Sequence, residues 1–132
     1  MTLTTAYWCV LIAALLPYVW VAIAKGGGPR YNNRDPRGWM DRQEDPRTRR
    51  ANAAHANAFE AFAPFAAGVV MAQLAGVAEA RIAGLALAFT AFRLLHGLFY
   101  LADKHLLRTL SWFGGLLCVL ALLVMAALQV GR

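Results

Sequence analysis

The sequence predicts an all-α integral membrane protein, a single domain built as an antiparallel bundle of four transmembrane helices. Of its 132 residues, 60% are hydrophobic and only 15% are charged, a balance unlike that of soluble domains. Four long apolar stretches occupy residues 3–24, 51–76, 82–102 and 106–130. Each is long enough for a helix to cross the hydrocarbon layer, which takes about 20 residues. Short connections between successive stretches favour antiparallel neighbours.

The basic residues indicate how the chain is oriented. Eight of the 13 lysines and arginines lie within residues 25–50, and Lys104 and Arg108 flank the third connection. The second connection carries Arg81, and the C-terminus carries Arg132. The positive-inside rule therefore predicts that segment 25–50 and the third connection are cytoplasmic and that both termini lie outside, as expected in a bacterial inner membrane. The net charge of +6 follows from this topology, so no nucleic-acid partner is expected.

The first apolar stretch is predicted to be a retained span. It lacks the basic start of a signal peptide, and its apolar core is too long for one. Pro17 should kink the helix and free a carbonyl, and the glycine run at residues 26–28 should end it. Cys9 and Cys118 fall inside apolar stretches without the spacing of metal ligands, so they are expected to be packed thiols.

The connection between the first two spans is predicted to be a polar loop over residues 30–44, with Trp39 and Met40 at the membrane interface. Asp45 as N-cap and Pro46 at the first helical position then predict a helix of about thirty residues. Three arginines in its first turns have the wrong sign for the helix dipole. Nearby carboxylates, lipid phosphate or a bound anionic ligand could each compensate for them.

Polar side chains form stripes along three of the predicted helices. Arg50, Asn57 and Glu60 are spaced i, i+7, i+10 on the second span, a single stripe predicted to face away from lipid. The third span carries a stripe spaced i, i+3, i+7, and the fourth begins with one more basic residue; these residues are Arg93, His96, Tyr100 and Arg108. An ionisable side chain at membrane depth costs about 2.5–3.5 kcal/mol on insertion scales, so such groups usually have a partner or a function.

One interpretation of the stripes is structural. Glu60 would pair with Arg93, and Asn57 would bond a neighbouring helix. His96 would be a satisfied packing histidine and Tyr100 an aromatic residue at the membrane interface.

The other interpretation is a binding site. Arg50, Arg93 and Arg108, with Lys25 nearby, exceed what one intramembrane carboxylate can neutralise. A small anion entering from the cytoplasm would complete the charge balance. Arginine suits this role, because its planar fork binds carboxylates bidentately and stays protonated.

These residues occur in a recognisable order. The run Arg50…Ala54-His55-x-Asn57-x-x-Glu60, then Arg93-x-x-His96-x-x-x-Tyr100, then Arg108-Thr109, resembles the MAPEG family, the membrane-associated proteins in eicosanoid and glutathione metabolism, in its short bacterial branch. The resemblance extends over nearly the whole chain. It implies a homotrimer that binds glutathione between neighbouring subunits near the cytoplasmic side, with a lipophilic electrophile arriving from the bilayer.

The resemblance also implies roles for individual residues. Arg108 would stabilise the glutathione thiolate, and the Thr109 hydroxyl would assist. Asn57 and Glu60 would hold the polar backbone and amino end of the peptide. The implied cofactor-binding residues are Lys25, Arg50, Asn57, Glu60, Arg93, His96 and Tyr100, with Lys25 placed to bind a glutathione carboxylate. A guanidinium near sulfur lowers a thiol pKa, which is consistent with this chemistry. No metal site is implied.

Three functions stay open at this point. The first is a glutathione-dependent transferase or peroxidase acting on lipophilic electrophiles. The second is a non-enzymatic protein of the same fold that binds a lipid or another small anion. It is favoured by Ala53 and Ala56, which stand where enzymes of the family commonly carry arginine. These alanines, and a Tyr100-to-Arg108 interval one residue shorter than in a characterised family enzyme, weaken the case for tight glutathione binding. The third is a proton-coupled exporter with Glu60 as its titratable acid.

Overall fold

The computed structural model describes residues 2–132, and this range is helical without strands. Its five helices are α1 (Leu3–Gly26), α2 (Pro36–Asp41), α3 (Pro46–Leu74), α4 (Glu79–Leu101) and α5 (His105–Val130). The all-helical architecture predicted from the sequence is confirmed. The turns between α3, α4 and α5 are only a few residues long, so these helices run antiparallel.

The helix boundaries follow local chemistry. The Asp45 side chain accepts a hydrogen bond from the Arg47 backbone N–H at 3.0 Å, with Pro46 at the first position of α3, and this confirms the predicted cap. Gly76 has φ +83° in the turn between α3 and α4, a conformation that glycine adopts without strain. Asp103 has φ 59° in the tight turn before α5, a region that aspartate tolerates better than most residues.

The short helix α2 lies in the segment predicted to be a loop. Asp35 caps it by accepting from the Gly38 N–H at 3.2 Å. Trp39, expected at the membrane interface, is only 4% exposed. Its indole N–H donates to the Arg30 carbonyl at 3.0 Å, and its ring packs edge-on against Tyr31. Trp39 therefore holds segment 30–44 together.

The α3–α4 pair forms the centre of the bundle, with α1 and α5 flanking it. Phe65 and Phe89 stack almost parallel across this pair, with ring centroids 3.9 Å apart. Cys9 and Cys118 are buried in the same apolar cluster as free thiols, which confirms the expected packing role. The core thus joins all four long helices.

A glycine sets the distance between α1 and α4. The Trp20 indole of α1 packs directly against Gly97 of α4, so that a Cβ added at Gly97 would lie only 2.1 Å from the indole Cζ2. Trp20 is itself buried against Ala54 and Ala58 of α3. The missing side chain at residue 97 is therefore what admits the indole between three helices.

Three helices, α1, α4 and α5, are long and apolar enough to cross a membrane. Large apolar side chains such as Trp8, Leu15 and Leu117 are exposed on the chain, as suits a lipid-facing surface. Helix α3, with 29 residues, is also long enough to cross a membrane, but its first half is too polar for it to be counted with these three helices. The fourth span stays a prediction.

Candidate functional site

A cavity of about 190 Å³ lies between α3, α4 and α5. Its polar lining consists of Asn57, Glu60 and Arg93. Its apolar lining comes from all three helices and comprises Ala61, Pro64, Phe89, Trp112, Gly115, Leu116 and Val119. We call this space the α3–α5 cavity. It combines a few polar groups with mainly hydrophobic walls, as small-molecule sites do, and within one chain it is smaller than the roughly 300–1,000 Å³ typical of such sites.

Arg93 is the most constrained polar residue in the α3–α5 cavity. It is 4% exposed, and its Nη2–H donates to Asn57 Oδ1 at 2.7 Å. The predicted Glu60–Arg93 ion pair is not formed within 4.0 Å: the ion pairs in residues 2–132 are Arg42–Asp35 and Arg50–Asp103. The expected bond from Asn57 to a neighbouring helix is present, and Arg93 provides it.

Glu60 lies at the edge of the same cavity, and its side chain is exposed on the surface of the chain. It is one turn further along α3 than Asn57, so both side chains share a face. Within the single chain Asn57 is half-buried and Glu60 is exposed. On the prediction that α3 is the fourth span, this carboxylate would require a covering group or water.

A second cluster surrounds Tyr100, near the end of the bundle that carries segment 27–45. The Arg108 guanidinium lies 4.5 Å from the Tyr100 ring centroid, a cation–π contact. His96 is 3% exposed and meets the same ring edge-on at 5.5 Å. Arg50 approaches Asp103 at 4.0 Å. The helix spacing predicted that His96 and Tyr100 share a face, and the structure brings Arg108 of α5 to them.

Two of the residues implied by the resemblance lie apart from both groups. The Thr109 hydroxyl donates to the His105 carbonyl at 2.9 Å, one turn back in α5, and the residue is exposed. The Lys25 ammonium lies 4.5 Å above the Tyr31 ring and lines a separate cavity between α1, α2 and α3. The lining of that cavity shares no residue with the α3–α5 cavity.

The apolar wall from α5 was not anticipated from the sequence. Trp112, Gly115 and Val119 follow Arg108 at i+4, i+7 and i+11, one face of a helix. This spacing was a signal that could have found them. Phe89 carries a similar signal, since it lies four residues before Arg93 on α4.

A comparison with protein-family models matches the chain to the MAPEG family over residues 5–128. The chain belongs to the MAPEG family. Comparisons with curated proteins and with solved structures gave no match. The MAPEG family includes both glutathione-dependent enzymes and non-enzymatic members, so the activity of this MAPEG protein has to be argued from its own residues.

Proposed function

We propose that this MAPEG protein is a glutathione-dependent transferase or peroxidase that acts on lipophilic electrophiles. The observation that supports this most is the buried guanidinium of Arg93, which has an amide as its hydrogen-bond partner and opens onto a cavity with apolar walls. A buried cation with no carboxylate oxygen within 4.0 Å among the described residues favours an anionic ligand. Glutathione carries two carboxylates, and an electrophile with apolar groups suits the remaining walls.

The polar groups of the α3–α5 cavity fit a peptide. Because Asn57 Oδ1 accepts from Arg93, the Asn57 Nδ2 group is left to donate to a carbonyl or carboxylate oxygen of the ligand. Glu60, which has no ion-pair partner within 4.0 Å among the described residues, suits an amino group. Donor, cation and carboxylate together match a zwitterionic peptide better than they match a simple anion.

Glutathione supplies the thiol that attacks the electrophile. In our proposal Arg108 stabilises the thiolate form by its positive charge, and His96 and Tyr100 fix the position of this guanidinium from α4. Thr109 keeps its lone pairs for a weak supporting contact, since its hydroxyl hydrogen is used by the His105 carbonyl. Phe89, Trp112 and Leu116 would hold the lipophilic substrate.

A homotrimer is part of this proposal. Glu60 is exposed on a helix surface otherwise suited to a membrane, and a neighbouring subunit would cover it without placing the carboxylate against lipid. The same neighbour would close the α3–α5 cavity, and α3 would form the fourth span while facing protein. Arg50 Nε, which is buried without a hydrogen-bond partner, is a further group that a ligand or neighbour could satisfy.

The deciding experiment is calorimetry of glutathione binding to the detergent-solubilised protein, combined with conjugation to 1-chloro-2,4-dinitrobenzene. Asn57→Ala should weaken glutathione binding, since it removes the amide and disturbs Arg93. Arg108→Ala should abolish conjugation while the oligomer persists on size exclusion. Arg81→Ala, at an exposed position at the far end of α4, is the control and should change neither. Unchanged turnover in Arg108→Ala would refute the assigned role, and no binding at millimolar glutathione would refute the function.

A non-enzymatic role is the second candidate. Ala53 is half-buried and Ala56 exposed, so the face of α3 where enzymes of the family commonly carry arginine is short of positive charge here. Arg108 also does not line the α3–α5 cavity within one chain. This candidate, a protein of the same fold that binds a lipid or another small anion, predicts that glutathione gives no protection against unfolding, and protection by glutathione would count against it.

A further inference from the structure

The cavity that contains Lys25 has a volume of about 540 Å³ and lies between the end of α1, the short helix α2 and the start of α3. We call it the α1–α2 cavity. Its polar lining residues are Lys25, Arg37, Asp41, Asn52 and His55. Two cations and one carboxylate in one cavity indicate a ligand with charges of both signs.

The three charges of the α1–α2 cavity are not neutralised by ion pairs within residues 2–132, where both ion pairs lie elsewhere. The Lys25 ammonium is nevertheless held in place over the Tyr31 ring. Arg37 and Asp41 come from α2, whose segment is held together by the buried Trp39 through its contacts with Arg30 and Tyr31. The charges are therefore presented by an ordered wall and stay available to a ligand.

An aromatic surface continues from the α1–α2 cavity along α1 and α3. His55, which lines the cavity, meets Phe59 edge-on at 5.0 Å, and Phe59 meets Tyr18 at 5.5 Å. Tyr18 and Phe59 are 57% and 42% exposed. The His55 Nδ1–H donates to the Pro17 carbonyl at 2.8 Å, which locks this surface to the α1 helix. A charged cavity thus passes directly into an exposed apolar surface one to two turns deeper along both helices.

We infer that the α1–α2 cavity binds a glycerophospholipid whose headgroup carries a phosphate and a primary amine. Lys25 and Arg37 contact the phosphate, and Asp41 contacts the ammonium group. Val21 and Met40 line the cavity beside them, and the acyl chains lie along Tyr18 and Phe59. Guanidinium and ammonium groups are the usual partners of phosphate, and a carboxylate in the same cavity selects against a purely anionic headgroup.

Within one chain the two cavities share no lining residue, and this inference rests on the charges of the α1–α2 cavity and not on the proposed glutathione chemistry. It gives segment 30–44 a function, since α2 supplies one cation and the carboxylate. It also assigns Lys25 to a lipid phosphate, whereas the family resemblance implies that Lys25 binds a glutathione carboxylate.

The test uses the full chain, delipidated in detergent and titrated with phosphatidylethanolamine, phosphatidylglycerol or phosphatidylcholine, with bound lipid counted by native mass spectrometry. We expect saturable binding of phosphatidylethanolamine that is weakened about tenfold by Arg37→Gln, the equivalent of one charge-assisted hydrogen bond. Asp41→Asn should weaken phosphatidylethanolamine several-fold and leave phosphatidylglycerol unchanged or tighter. Arg81→Gln is the charge-matched control and should have no effect.

Several results would overturn the inference. Equal affinity of the Arg37→Gln variant and the unchanged chain for phosphatidylethanolamine would refute the phosphate contact. Tighter binding of phosphatidylglycerol than of phosphatidylethanolamine by the unchanged chain would refute the amine contact. Displacement of lipid by free phosphoethanolamine at similar concentration would identify a soluble ligand instead. An equal loss of glutathione and lipid binding in Arg37→Gln would assign the cavity to the glutathione site. Thermal unfolding of each variant shows whether it is folded, and Arg37 is exposed, so its substitution should not unfold the protein.

Discussion

The hydrogen bond between Arg93 and Asn57 gives a quantitative test of the α3–α5 cavity. In Asn57→Leu the buried guanidinium loses the amide oxygen that accepts its hydrogen bond, and a hydrogen bond to a charged group contributes about 1.5–3 kcal/mol. In Arg93→Leu the amide alone is left, which costs about 1–3 kcal/mol. The double variant leaves neither group unpaired. Its loss of unfolding free energy should therefore be smaller than the sum of the losses in the two single variants by at least about 1.5 kcal/mol.

The measurement is reversible unfolding in mixed micelles as sodium dodecyl sulfate is added, for the four proteins of the cycle. Neutral hydrogen bonds between membrane helices average only about 0.6 kcal/mol, so a larger coupling would show that the charge matters. Asn52→Leu, a half-buried amide on another face of α3, is the control for loss of an asparagine. Additivity within about 0.5 kcal/mol would refute the claim that Arg93 depends on Asn57. Glutathione binding should be lost in the double variant even where stability is restored.

Three further predictions concern packing and assembly. Gly97→Ala should destabilise the bundle by about 1–3 kcal/mol, because the new Cβ meets the Trp20 ring. The control is Gly26→Ala, which has no neighbouring atom within 4 Å and should leave the thermal midpoint unchanged or raised. Equal midpoints for the two variants would contradict the packing argument. In Gly115→Leu the new side chain starts at a Cβ position 3.5 Å from Arg93 Cδ and extends into the α3–α5 cavity. Conjugation of bulky electrophiles should therefore fall more than conjugation of small ones. An unchanged substrate profile would place the substrate elsewhere. Glu60→Leu should weaken the oligomer on analytical ultracentrifugation in detergent if a neighbour covers Glu60; a more stable oligomer would mean that this face meets lipid.

The helix boundaries were largely predictable, because they depend on residues close in sequence. Asp45 and Pro46 mark the start of α3, and the glycine run marks the end of α1, as expected. The shared faces of Asn57 with Glu60 and of His96 with Tyr100 follow equally from helix periodicity. The six-residue helix α2 was missed, since so short an element has too little periodicity to distinguish it from a loop.

The partner of Arg93 was not predictable in the same way. Periodicity gives the face of a helix, but the pairing between helices depends on how far α3 is shifted along α4. That shift is set by packing such as the Phe65–Phe89 stack, which no local pattern encodes. The sequence analysis therefore placed Asn57, Glu60 and Arg93 on polar stripes and paired Arg93 with Glu60, whereas the structure pairs Arg93 with Asn57.

Helix α3 explains why one run of residues can serve two cavities. His55 and Asn57 are two positions apart, and at about 100° per residue their side chains point to nearly opposite sides of the helix. His55 lines the α1–α2 cavity and Asn57 the α3–α5 cavity. A helix with polar groups on two sides cannot be as apolar as one that faces lipid, which is why α3 differs from α1, α4 and α5 in hydropathy. Its polarity therefore indicates that neither polar side of α3 faces lipid. One side faces α1 and α2, and the other faces the α3–α5 cavity, which the neighbouring subunit is proposed to close.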